Sequence, residues 1–153
     1  MRYQVLQTTT PVGRRMERKM GIINDEIRAV FEKNKIFSVA TAAKDGTPNV
    51  APIAFVQLVG GDEIWIGDNY MKKTLKNVLE NPKMSIFAWD PDSKRCFQVK
   101  GSVEVRTEGP EYEKMKATMK AKNEAYPAKG LLVLRVQEAY SCTPGPNAGD
   151  RVA

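Results

Sequence analysis

A chain of 153 residues, 42% hydrophobic and 27% charged, is long enough for one domain with a substantial core and too apolar for disorder. Its 24 Lys plus Arg outnumber 18 Asp plus Glu, and the formal net charge of +6 suits anionic partners such as phosphates, nucleic acid or acidic lipids. Histidine is absent, which excludes Ser-His-Asp and Cys-His nucleophile systems, histidine-ligated haem and most catalytic zinc arrangements. The two cysteines, Cys96 and Cys142, form no CxxC pair, so neither a zinc site nor a disulfide framework is expected, and a reducing cytoplasm is the natural home. No segment approaches the roughly 20 apolar residues of a membrane span, and no signal-peptide run opens the chain.

Residues 1–20 read as an N-terminal arm without sustained periodicity, and the basic cluster Arg14, Arg15, Arg18 and Lys19 reads as a solvated patch. A domain over 21–141 follows. Asn24 is placed to cap a helix with Asp25 and Glu26 in its first turn and Ile27, Val30 and Phe31 on its inner face. Residues 36–42 predict a strand, 44–47 a hairpin turn, 48–59 a second and longer strand, and 60–62 another turn into a third strand over 63–66. The second strand is apolar on both faces: Val50, Pro52, Ala54, Val56 and Leu58 share one, Ala51, Ile53 and Phe55 the other. Its second face therefore calls for a cover, whether a helix, a partner subunit or a flat ligand, and Pro52 interrupts its ladder.

The stretch 67–82 turns from strand to helix with Asp68, Asn69, Lys72, Lys73 and Thr74 at the junction and Leu75, Val78 and Leu79 spaced on one helical face. Unpaired helix-start amides, a hydroxyl and two ammonium groups there predict a phosphate seat. Asn81-Pro82 stops the helix, and 83–89 predicts a strand. Farther on, Phe97, Val99, Val103 and Val105 share the parity expected of the core, while Cys96, Gln98 and Lys100 are expected to point outward. A helix over 111–122 with Tyr112, Met115 and Met119 on one face and a last strand over 131–136 complete the domain. Residues 142–153, rich in Pro and Gly, read as a flexible or strap-like tail. The sum is a mainly β chain: an antiparallel six-stranded β-barrel with short helices at its rim.

Several pieces together, in this order and spacing, resemble the flavin-binding split-barrel family related to pyridoxamine 5′-phosphate oxidase, closest to its small FMN-binding protein type. They are Ser38-Val39-Ala40-Thr41, Asp45-Gly46-Thr47-Pro48, Lys72-Lys73-Thr74-Leu75-Lys76-Asn77-Val78, Asn81-Pro82-Lys83-Met84-Ser85, Val99-Lys100-Gly101-Ser102-Val103-Glu104 and Arg106-Thr107-Glu108-Gly109-Pro110-Glu111. The resemblance implies a homodimer of split barrels with FMN in the clefts between subunits. It places the phosphate at Lys72, Lys73 and Thr74 with Asn77 one turn along, the ring against Ala51, Pro52 and Ile53, and the ribityl chain past Gly67 and Asp68. From the partner subunit it implies Cys96 and Gln98, with Trp89 as a further candidate.

The chain departs from the oxidase proper, which holds its vitamin substrate with C-terminal residues including an arginine and a histidine. With no histidine and a Pro/Gly tail, that activity is not expected, and haem-handling relatives that use histidine are disfavoured for the same reason. The expected function is an FMN-dependent oxidoreductase or flavin electron carrier, its redox partner a small molecule or a protein, with no catalytic side chain singled out and no metal. A deazaflavin-dependent reductase on the same fold is the alternative. A reading of another class is a basic nucleic-acid or protein-interaction module built on the arm and on Lys114, Lys116, Lys120 and Lys122; the modest charge surplus places it last.

Overall fold

Asn24 does cap the first helix: its side chain accepts the Ile27 amide at 2.9 Å and starts α1 (Asp25–Glu32), which buries Ile27, Val30 and Phe31. The computed structural model describes residues 21–153, so the expected arm and its basic cluster lie outside the described residues. Phe31 leads into the sheet by meeting Phe37, ring centroids 5.6 Å apart, at the start of β1 (Phe37–Ala42). The following turn is held by the Asp45 carboxylate, which accepts the Thr47 amide, and by Gly46 at φ +90°.

The single strand expected over 48–59 is instead two. β2 (Pro48–Ile53) pairs with β1, whereas β3 (Val56–Val59) pairs with β4 (Glu63–Asp68). Between them the Phe55 carbonyl accepts the Gly67 amide at 3.1 Å, so the chain changes partners at Ala54-Phe55. The remaining elements are α2 (Lys73–Glu80), β5 (Lys83–Trp89), β6 (Cys96–Arg106), α3 (Pro110–Lys122) and β7 (Gly130–Ser141). Seven antiparallel strands lie in the order β2-β1-β5-β6-β7-β4-β3.

That order closes the sheet. β2 and β3 are its two edges, yet only Ala54 and Phe55 separate them, a span of at most roughly 11 Å. The sheet must curl until its edges meet, and the meeting place is a split rather than a hydrogen-bonded seam. Curvature is helped where β6 slips register between Lys100 and Gly101; a Cβ on Gly101 would lie 1.9 Å from the Arg135 carbonyl oxygen.

Inside, Ile27, Val39, Ile86, Val99, Leu132 and Leu134 form the main core, and α3 covers a second one with Tyr112, Met115 and Met119 around Leu131 and Val133. Val103 is buried as its parity predicts, with Val105 partly buried against the core. The last strand runs past the expected 136 to Ser141, and the segment beyond it turns back: Arg151 bridges Tyr140, and the Val152 amide donates to the Ala139 carbonyl at 2.8 Å. No helix among the described residues is long and apolar enough to cross a membrane.

Candidate functional site

Where the barrel splits, β2, the β4–α2 junction and the C-terminal end of α3 surround a cleft of about 530 Å³. One wall is Ala51, Pro52 and Ile53, with Val50 beside them; Ala51 and Ile53 are half-buried while Val50 and Pro52 are exposed. Gly67 supplies the close approach at the base: a Cβ there would meet the Met119 sulfur at 2.5 Å and the Phe55 ring at 2.9 Å. The bend in β2–β3 and the end of α3 can come together only because that position carries no side chain.

The other end gathers hydrogen-bond donors and positive charge. α2 begins with Lys72 at its cap position and no side-chain cap, leaving first-turn amides without a side-chain acceptor. Lys72 and Lys73 are exposed at the rim, and Thr74, buried, lines the cleft. Asn49 Nδ2 donates to Thr74 Oγ1 (3.2 Å) and Thr41 Oγ1 (3.3 Å), and Asn77 Nδ2 donates to Thr41 Oγ1 (3.0 Å). Every bond in this group runs from an amide nitrogen to a hydroxyl oxygen. Neither hydroxyl proton finds an acceptor among the described residues, so both stay free to donate. Among the described residues no Asp or Glu lines the cleft, whereas Lys72, Lys73 and Lys122 do.

The residues named from sequence divide accordingly. Ala51, Pro52, Ile53, Gly67, Lys72, Lys73 and Thr74 line one cleft. Asp68 and Asn77 lie behind it. The Asp68 carboxylate accepts the Met71 amide at 2.9 Å and stands 3.8 Å from Lys129 Nζ, shaping the turn into α2. Asn77 reaches the site through Thr41. The inner face of α2 also differs from the expected Leu75, Val78 and Leu79: Thr74, Asn77 and Val78 are buried and Leu79 is 65% exposed, because the polar network takes the inward position.

Gln98 is half-buried on the outward face, paired with Phe87 and Tyr140. Cys96 shares that outward face, as its parity predicts, but is covered there. It is 4% exposed beneath the chain's own tail, where Thr143 Oγ1 accepts its amide at 3.0 Å, and burial, with Cys142 alongside, pushes its thiol up to about 11.

Sequence reasoning missed Asn49, whose only signal was an amide side chain near the start of the strand that carries Pro52. It also missed Met119, Lys122 and Tyr126 as cleft residues. Lys122 Nζ stands 5.5 Å from the centre of the Phe55 ring. Only the topology brings the end of α3 there; Gly67, a small residue in an apolar strand, was the available hint of a close approach.

The sequence pattern of the family described as pyridoxamine 5′-phosphate oxidase matches residues 23–143, the whole barrel. The chain belongs to the pyridoxamine 5′-phosphate oxidase family. An uncharacterized protein of Methanocaldococcus jannaschii is 38% identical over 128 residues, 79% of this chain and 82% of its own length. Among solved structures of the same fold, HupZ of Group A Streptococcus is 26% identical with a TM-score of 0.72, covering 83% of this chain and 99% of that one. An FMN-binding protein from Syntrophomonas wolfei subsp. wolfei is 19% identical with a TM-score of 0.60, over 73% of this chain and 80% of that one. An F420 reductase is 20% identical with a TM-score of 0.59, over 73% and 94%. In this family member, the free hydroxyl protons at Thr74 and Thr41 and the lysines at the rim fit a phosphate, and the apolar wall over Ala51–Ile53 fits an aromatic ring.

Proposed function

We propose that this member of the family is an FMN-binding redox protein, an FMN-dependent oxidoreductase or flavin electron carrier. The observation that carries the reading is that one cleft joins two chemistries: a helix start with free amides and unused hydroxyl protons at one end, an apolar strand face at the other. Thr74 and the first amides of α2 donate to the phosphate, and Lys73 neutralises it as a point charge. Asn49 and Asn77, by occupying the oxygens of Thr74 and Thr41, turn those hydroxyls into donors. Ala51, Pro52 and Ile53 hold the ring mainly through backbone, and Gly67 and Asp68 set the strand end past which the ribityl chain runs. When bound, FMN supplies the hydride or electron transfer. With no histidine in the chain and no Asp or Glu lining the cleft among the described residues, neither an imidazole nor a carboxylic acid supplies a proton there.

The cofactor cleft is completed in a homodimer on this reading. The outward face of β2, β1 and β5 presents Val50 (68% exposed), Phe87 (43%) and Trp89 (39%), in register with Ala40, Ser38 and Cys96 across the sheet. Such an apolar face is unusual on a free monomer. Gln98, in the row that runs from Pro52 through Ser38 and Phe87, is the residue offered to the neighbour's cofactor.

Titrating the purified protein with FMN, followed by flavin fluorescence quenching, is expected to saturate at one FMN per chain. Lys73→Ala should weaken binding roughly 10–100-fold, the worth of one charged hydrogen bond. Failure of the wild-type protein to take up FMN sinks the proposal. The similarity to an F420 reductase favours a second reading, a deazaflavin in the same seat; tighter binding of F420 than of FMN would select it.

A further inference from the structure

We propose that Cys96 and Cys142 are a thiol pair that closes into a reversible intrachain disulfide, fastening the root of the C-terminal segment to the sheet. The pair sits at the start of β6 and just past the end of β7, away from the cleft lining, so it stands whatever the cleft binds.

The register places them. Gln98 opposes Tyr140 and Phe97 opposes Ser141, so the next step along this antiparallel pair sets Cys96 opposite Cys142. The ladder continues there, the Cys142 amide donating to the Cys96 carbonyl at 2.8 Å. Directly opposite residues of an antiparallel pair have Cα atoms about 4.5–5.5 Å apart, inside the range a disulfide spans. They also point to the same face of the sheet. The Cys96 thiol has Cys142 beside it, and that neighbour adds to the burial that raises it. Neither cysteine has another sulfur partner, since the chain contains only these two.

The pair is differentiated as a reversible switch requires. Cys142 is half-buried and open to a small reagent, whereas Cys96 is buried between Trp89, its neighbour on β5, and the tail. Oxidation by a low-molecular-weight disulfide therefore starts at Cys142. Its thiolate attacks one sulfur of the reagent, forming a mixed disulfide and expelling one small thiol. The Cys96 thiolate then attacks the Cys142 sulfur, forming the intrachain bond and expelling the second small thiol. The two cysteines lose two protons and two electrons, and the small disulfide gains them as two thiols. Because burial holds the Cys96 thiol protonated near neutrality, the second step is the slow one and quickens as pH rises.

What the bond fastens is a segment that otherwise holds by backbone bonds, the Thr143 hydroxyl at Cys96, the contact of Ala153 with the core and one exposed ion pair. The Gly149 amide donates to the Ser141 carbonyl (2.6 Å), the Ser141 amide to the Asp150 carbonyl (2.9 Å), and Arg151 pairs with Glu138 at 3.4 Å. A covalent link at residue 142 keeps the root of this segment on the sheet when those bonds open.

The full-length protein is incubated at pH 8 with excess oxidised glutathione, then divided and half reduced with dithiothreitol. The expected result is loss of both free thiols per chain, an intact mass lower by two hydrogens, a Cys96–Cys142 cross-linked peptide, and unchanged oligomeric mass. Amide exchange at Ser141 and Cys142 should slow at least roughly tenfold in the oxidised form and recover on reduction, since only the opened segment exchanges. Cys96→Ser should stop at a stable glutathione adduct on Cys142, which shows the order of attack without requiring the disulfide to form. The proposal is overturned by a wild-type protein that keeps both thiols, ends as a glutathione adduct or links between chains. It is equally overturned if the bond forms while exchange at Ser141 and Cys142 stays the same.

Discussion

Two short lysine-rich helices border the cleft, and they bury opposite chemistry. α2 turns Thr74 and Asn77 inward beside Val78 and leaves Leu79 65% exposed; α3 turns in Tyr112, Met115 and Met119, and its one polar inward group, the Tyr112 hydroxyl, is satisfied by the Ala128 carbonyl at 2.9 Å. α3 is therefore an ordinary covering helix. α2 gives up apolar burial to hold hydroxyls whose protons have no acceptor among the described residues, an arrangement that costs stability unless something accepts them. Positive charge is common to both helices and distinguishes neither. The position of buried polar atoms does.

If this contrast is right, mutations in the two helices separate stability from binding. The largest effect is expected for Met115→Ala, which removes a fully buried side chain from the second core and should cost about 2–5 kcal/mol in urea unfolding. The folded fraction should bind FMN within about twofold of wild type, a change of under about 0.5 kcal/mol. A loss of affinity on the scale of the stability loss would mean that α3, too, belongs to the phosphate end of the site.

Much of this was legible in the sequence, and the misses share a cause. α1 with its Asn24 cap, β5 and the inward residues of α3 follow from local period and capping, and the structure has them where expected. The break at Ala54-Phe55 was not legible, because both halves of 48–59 are apolar strand formers and only the pairing with two different partners, β1 and β4, divides them. Leu79 misled for a similar reason. A leucine at helical spacing reads as core, and nothing local reveals that Asn77 has a hydroxyl waiting across the interior at Thr41, far away in sequence. Lysines 72 and 73 and Thr74 were found because a helix start is a local feature. Lys122 and Tyr126 were not, because they reach the cleft by topology alone. Cys96 was placed outward by parity, correctly as to face, but the cover over that face comes from the chain's own residues 142 and 143.

A smaller effect is expected for Thr74→Val, which keeps the shape and removes the hydroxyl. Asn49 keeps an acceptor in Thr41, so unfolding stability should fall by only about 0.5–1.5 kcal/mol. FMN affinity should drop about tenfold, because the phosphate loses a donor and not only a neighbour. Thr74→Ser, which retains the hydroxyl, should restore most of the affinity in the same titration. Equal losses in both variants would assign the residue to packing and remove α2 from the site.

The smallest effect should come from Lys114→Ala, and it tests the contrast most sharply. Lys114 is exposed on α3 with Nζ 6.0 Å from the centre of the Trp65 ring, a contact worth roughly 0.5–1 kcal/mol that the better helix propensity of alanine partly offsets. The substitution removes the same unit of charge as Lys73→Ala. At physiological salt the Debye length is about 8 Å, so a charge that does not line the cleft acts on its contents only weakly. FMN affinity should therefore change by less than about twofold for Lys114→Ala, under 0.5 kcal/mol, against the roughly 10–100-fold expected for Lys73→Ala. Equal losses that vanish together as salt is raised would show that the anion is held by the field of a basic protein. Unequal losses that persist in salt require a fixed partner at the start of α2, because only short-range bonds to a seated phosphate escape screening.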